Sequence, residues 1–310
     1  MRLKQYTDTI VSMTTSLQVT ILYDEKKPEV AKNIIKESYK EADRIINIIS
    51  AWQSNTELYK VNSNAGIAPV KVCDELFYLV KRANRISDMT DGLFDVTFAS
   101  LDKIWYFDKP IDTLPDEITI KNSVKNINYR FIELDEMNRT IYVKNKGTKI
   151  ELGAIGKGYV VNKMKLKLQE LGINNGIVNA GGDLVAWGKN ESGEPWKIGV
   201  TDPNNTKKYL GWFRVDNSAV ATSGSYERFA LINGEKYSHI IHPKTGWPVK
   251  GIQSVTILSP DVEMCDSIAT SVFLLGKDEG LAFVNQFDDL QCLIIDDKGD
   301  YYFSDNFKKN

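Results

Sequence analysis

Apolar positions along this chain fall into two periods, and the switches between them outline the elements. Residues 16–23, SLQVTILY, read as a strand that ends at a charged turn. Pro28 then stands where a helix accepts its first residue. Val30, Ile34, Ile35, Tyr39, Ala42, Ile45, Ile46 and Ile49 recur at helical spacing, which predicts an amphipathic helix of about five turns. Residues 50–66 are polar and turn-rich and read as irregular. Trp52 within them is either a core anchor or a ring left for a flat ligand. Asp74 is placed to cap a second helix that stops at Asp91-Gly92. Residues 93–97 form an apolar segment with Asp95 in its middle; a buried carboxylate needs partners, so Asp95 is a helix cap or a ligand contact. The region 101–128 holds an aromatic cluster (Trp105, Tyr106, Phe107) and then loop-like sequence.

Residues 131–137 and 139–145 alternate around a short turn and predict a hairpin. TKIEL (148–152) reads as a strand, followed by a glycine-rich turn into a helix. Gly153, Gly156 and Gly158 flank Lys157 there, which fits an anion site at a helix N-terminus or simply a tight strand-to-helix turn. In residues 176–188 two strands flank Gly181, Gly182 and Asp183, a pattern of a bulge or a close approach to the backbone. The segments 195–202, 208–216, 218–224, 227–232 and 235–242 read as strands, with Asn233-Gly234 as a hairpin turn. A turn at 243–248, an apolar strand, and a helix start carrying Glu263, Asp266 and Thr270 follow. Residues 277–287 predict a helix and 290–303 a last hairpin. Strands dominate and helices interrupt them in blocks, so the expected class is α+β, as one large domain over 1–310 with a lobe near 100–145.

Composition narrows the function classes. Hydrophobic residues are 42% and charged ones 26%, ordinary for a globular chain. The net charge of -2, with Lys and Arg scattered, offers no nucleic-acid footprint. Cys73, Cys265 and Cys292 are odd in number and far apart, which argues against a disulfide framework and fits a reducing compartment. No N-terminal apolar run is long enough for a signal peptide or membrane helix, so the chain as written reads as cytoplasmic.

The residues that could carry chemistry are Lys157, Asp183, the 221–224 turn, His239, and the pair Asp266 and Thr270. Asp266 and Thr270 are four apart, so on a helix their oxygens share one face. That pairing suits Mg²⁺ or Ca²⁺, and equally a helix cap beside a half-buried threonine. Two histidines, His239 and His242, and no paired cysteines leave no zinc site. No nucleophile elbow occurs, and His239 is a candidate general base.

In order along the chain, SMTT (12–15), GLFDVT (92–97), ELGAIGKGY (151–159), NAGGD (179–183), ATSG (221–224), HIIHPKTG (239–246) and CDSIAT (265–270) together resemble the FAD:protein FMN transferase (ApbE) family. The resemblance spans about 11–303. It implies a T-fold-like α+β domain and a Mg²⁺-dependent transfer from FAD: a Thr or Ser hydroxyl of a target protein attacks the FMN-side phosphorus, and AMP leaves. By the same resemblance the Ala154 carbonyl, Asp266 and Thr270 would hold the metal. Met13, Trp52, Leu93, Phe94, Asp95, Glu151, Lys157, Ser223 and His239 would line FAD, with His239 as the base. Two positions depart from the family pattern, which usually has Asp where this chain has Glu151 and His242. Mg²⁺-dependent hydrolysis of FAD to FMN and AMP is an alternative activity, and a flavin-binding protein without catalysis is another. Many relatives are exported and lipid-anchored, so an extracytoplasmic place is the alternative to the cytoplasm.

Overall fold

The computed structural model describes residues 2–107, 113–202, 205–225 and 229–308, with backbone alone for 205–207. In chain order the elements are β1 (Leu3–Ser12), β2 (Thr15–Asp24), α1 (Pro28–Ile49), α2 (Glu57–Ser63), β3 (Val70–Lys71), α3 (Asp74–Met89), α4 (Glu117–Ser123), β4 (Ile132–Asp135) and β5 (Thr140–Val143). There follow α5 (Gly153–Glu170), β6 (Gly176–Ala180), β7 (Asp183–Trp187), β8 (Trp196–Asp202), β9 (Asn205–Val215), β10 (Ser218–Gly224), β11 (Phe229–Ile232) and β12 (Glu235–Ser238). The chain closes with β13 (Ile252–Ser259), α6 (Val262–Leu275), α7 (Lys277–Val284), β14 (Gln291–Asp296) and β15 (Tyr301–Phe303). The class is α+β.

Eight strands form one antiparallel sheet in the order β1-β2-β6-β7-β10-β13-β14-β15. The two-residue period of a strand sorts its side chains between two cores. Leu17, Val19 and Ile21 of β2, Val185 and Trp187 of β7, Val255 and Ile257 of β13, and Cys292 and Ile294 of β14 face the helices α1, α3, α5 and α6. The intervening Leu22, Leu184, Ala186, Val220, Leu258 and Leu293 face the other way, onto the β8–β9 ribbon through Trp196, Val200, Phe213 and Val215. Burial on both faces explains why these strands read as apolar runs rather than clean alternation. A third, small core of Trp105, Ile120, Ala230, Ile232, Tyr237 and Ile241 lies under the β11–β12 ribbon. Among the described residues no helix is long and apolar enough to cross a membrane.

The local expectations fail in a few places, each for a physical reason. β1 pairs with β2 along ten residues, but it is an edge strand with weak burial and gave little apolar signal. The stretch expected to be irregular contains α2, whose first turn is capped by Thr56 accepting from the Tyr59 N–H at 3.1 Å. Residues 148–152 belong to no sheet; the Ile150 N–H donates instead to Asn62 Oδ1 at 2.8 Å and that of Glu151 to the Val96 carbonyl at 2.7 Å. Cys73, not Asp74, stands at the cap of α3, while Asp74 accepts from Arg139 Nε at 2.7 Å. The loop-like 101–128 includes α4, capped by Asp116. Glu227 and Arg228, expected to begin a strand, lie outside the described residues. Finally, β12 ends at Ser238, so His239 and His242 sit beyond the strand rather than in it.

Candidate active site

A cleft of about 920 Å³ opens between the turns at one end of the sheet and the helices beside it. Met13, Trp52, Leu93, Phe94, Asp95, Glu151, Ala154, Lys157, Ser223, His239, Asp266 and Thr270 all line it. Its walls come from stretches far apart in the chain. The β1–β2 turn contributes Met13 and Thr14, both with positive φ (50° and 60°). The facing β6–β7 turn uses Gly181 and Gly182 at φ 64° and 111°. A Cβ at Gly181 would strike the Thr15 hydroxyl, so the close approach to this backbone comes from the neighbouring turn. Trp52 is 72% exposed and forms no part of the core, which leaves its ring free for a ligand.

Glycines 156 and 158 are required by packing. Both lie inside α5. A Cβ on Gly156 would come within 3.1 Å of Ile49 Cδ1, and one on Gly158 within 2.6 Å of the Val262 carbonyl oxygen. That contact presses α5 against the first turn of α6. It also aims the Gly158 N–H at Asp266 Oδ2, at 3.2 Å. Asp266 is therefore not the cap of α6; Asp261 is, accepting from the Glu263 N–H at 2.9 Å. Asp266 lies one turn further in, 5% exposed, with Thr270 a turn beyond and 3.2 Å from the Ser223 hydroxyl.

Lys157 already has anionic partners. Its ammonium pairs directly with Asp183 and lies 3.5 Å from Asp266 Oδ1. Burial pushes the Asp266 carboxyl up, opposed by the Lys157 charge and the Gly158 N–H. Glu151 is likewise pushed up by burial, with the Gly153 N–H working against it and the Asp266 charge adding to it. The sequence offers Asp183 as a candidate but gives it no definite part. Its position directly after two glycines at a hairpin turn was the available signal.

Asp95 satisfies itself locally. Its Oδ1 accepts from the Thr97 N–H at 2.8 Å and hydroxyl at 2.6 Å, and its Oδ2 from the Tyr129 N–H at 2.9 Å. Burial still raises its pKa from the ordinary carboxyl value, against those three donors. The imidazole of His239 meets the ring of Phe107 edge-on, centroids 6.4 Å apart. His242 is not on the cleft. It lines an adjoining hollow of about 380 Å³ with Asp88, Asp91 and Lys244, and its Nδ1 accepts from the Lys244 N–H at 3.2 Å. Leu93 borders both spaces.

This arrangement has relatives. The sequence profile of the ApbE family matches residues 13–294. The FAD:protein FMN transferase of Vibrio cholerae is 30% identical over 280 residues, covering 86% of this chain and 83% of its own. That of Treponema pallidum is 29% identical over 263 residues, 80% and 73% of the two chains. Among solved structures, the ApbE protein of Thermotoga maritima superposes with a TM-score of 0.87 at 29% identity, covering 98% of each chain. The flavin transferase ApbE of Vibrio cholerae gives 0.85 at 25% identity, again over 98% of each. A profile match over most of the length, with the fold reproduced across whole chains, places this protein: it belongs to the ApbE family.

Proposed function

We propose that this chain is an FAD:protein FMN transferase, moving FMN from FAD to a Thr or Ser hydroxyl of an acceptor protein with release of AMP. The observation that carries the reading is that one cleft of dinucleotide size gathers an imidazole, an oxygen donor set and an open tryptophan ring. Family membership supplies the reaction class.

The Ala154 carbonyl, the Asp266 carboxylate and the Thr270 hydroxyl are hard oxygen donors of the kind Mg²⁺ takes, and together they leave room for phosphate oxygens and water. The Lys157 ammonium beside Asp266 supports that fit, because a cationic group already finds this carboxylate. Mg²⁺ bound there would serve as a Lewis acid towards the pyrophosphate. Trp52 and Phe94 offer flat apolar surface to the ring systems of FAD. His239 takes the proton of the acceptor hydroxyl as its oxygen forms the bond to the FMN-side phosphorus. The bond from that phosphorus to the bridging pyrophosphate oxygen breaks, and AMP departs with the electron pair.

The test uses FAD, Mg²⁺ and a flavin-free domain that normally carries FMN on a threonine. Flavin fluorescence should remain on the acceptor after denaturation, with one AMP per flavin. No bound flavin and no AMP with any divalent cation would sink the proposal. AMP released equally with and without acceptor would mean hydrolysis instead. His239→Ala should slow transfer by ~10²–10⁴-fold while FAD still binds.

A further inference from the structure

Lys157 lies between two carboxylates that water hardly reaches. The side chains of Asp183 and Asp266 are 5% and 6% exposed, against 33% for Lys157. The contact with Asp183 is a direct ion pair, whereas Asp266 Oδ1 stands 3.5 Å away. Asp266 is also held from its far side by the Gly158 N–H. One ammonium thus serves two buried anions unequally, and the nearer anion is the one outside the proposed donor set.

The inequality matters because a cation and an ammonium compete for the same carboxylate. If Lys157 settled fully on Asp266, it would occupy one of its oxygens and repel an incoming divalent ion at short range, where buried charges are weakly screened. Asp183 gives the ammonium a second seat, and that seat is rigid. Asp183 opens β7 and pairs with Ala180 across the Gly181-Gly182 turn. The Asn179 side chain further fixes that turn, its Oδ1 accepting from the Gly182 N–H at 2.8 Å. The central sheet, not a mobile side chain, decides where the lysine charge rests.

We infer that Asp183 is a positioning residue that draws the Lys157 ammonium off Asp266 and so leaves Asp266 open to a divalent cation. The inference rests on Asp266 being a metal ligand, as proposed above. Asp183 itself contributes no bond to the metal.

Mn²⁺ titrated into the FAD-free protein, with free Mn²⁺ followed by its EPR signal, reads this directly. Wild type should bind one Mn²⁺, and Asp266→Ala should lose it. If Asp266→Ala binds as wild type does, the metal assignment fails and the inference with it. Asp183→Asn should weaken Mn²⁺ at least tenfold, since the ammonium then has only Asp266. Lys157→Gln should bind Mn²⁺ at least as tightly as wild type. The double variant Asp183→Asn/Lys157→Gln should return to within threefold of Lys157→Gln, because without the ammonium Asp183 has nothing to hold. That non-additivity separates positioning from a merely structural role. Wild-type affinity in Asp183→Asn, or a double variant as weak as Asp183→Asn, overturns the inference. So does weakened binding in Lys157→Gln, an arm that stands even if Asp183→Asn does not fold.

Discussion

His242 shows how a single side chain carries a testable electrostatic signature. Burial, and then the neighbouring Lys244 charge, hold its imidazole below the ordinary value of 6.5. A base depressed in the folded state stabilises the fold above its unfolded pKa and loses that contribution as pH falls through 6.5 towards the folded value. Thermal midpoints measured from about pH 7.5 to 5.5 should therefore fall more steeply for wild type than for His242→Asn. Asn keeps an acceptor for the Lys244 N–H; parallel curves would contradict the assignment. At this scale much of the site was legible in the sequence. Spacing left Asp266 and Thr270 open between a metal pair and a cap beside a threonine; they, His239, Lys157 and the glycines came within motifs of the family. What spacing cannot show is pairing: that Lys157 meets Asp183, or that His242 turns into a different hollow, depends on how distant elements pack.

The pair α5 and α6 is the element on which the site depends. Gly158 brings the two helices together so closely that a Cβ there would sit 2.6 Å from the Val262 carbonyl and 2.8 Å from Glu263 Cα. Both are backbone atoms and cannot rotate away. Gly158→Ala should cost about 1–3 kcal/mol in denaturant unfolding, as overpacking does. The helices would part where the Gly158 N–H reaches Asp266, so Mn²⁺ affinity should fall as well. An alanine variant as stable as wild type would show that the helices can slide. A long periodic helix such as α1 was readable because its pattern repeats over many turns. The short α2 and α4 were not, because seven residues present too few turns for a period to emerge, and their caps, Thr56 and Asp116, resemble any loop residue. The β1 edge escaped for the converse reason: its order comes from pairing with β2, not from its own apolar content.

Over the whole molecule, the α+β class could be read from blocks of strand and helix, but the sheet order could not. Neighbours such as Val19 and Val178, or Ala219 and Ser259, are joined by pairings with no local sequence signal. The cleft inherits this long-range character, with Ser12 and Thr15 on one wall and Asp266 and Leu274 on another. A ligand spanning those walls ties the first hairpin to α6, so FAD at a hundredfold excess over its Kd should add ~2.7 kcal/mol to one cooperative unfolding transition. Two transitions, only one of them shifted, would contradict that coupling. The same placement of walls sets a clock on synthesis. During translation the first hairpin and α1 leave the ribosome long before α6 exists, and no earlier segment can stand in for Asp266 or Thr270. At the proposed site, flavin capture would therefore wait until α6 has left the ribosome.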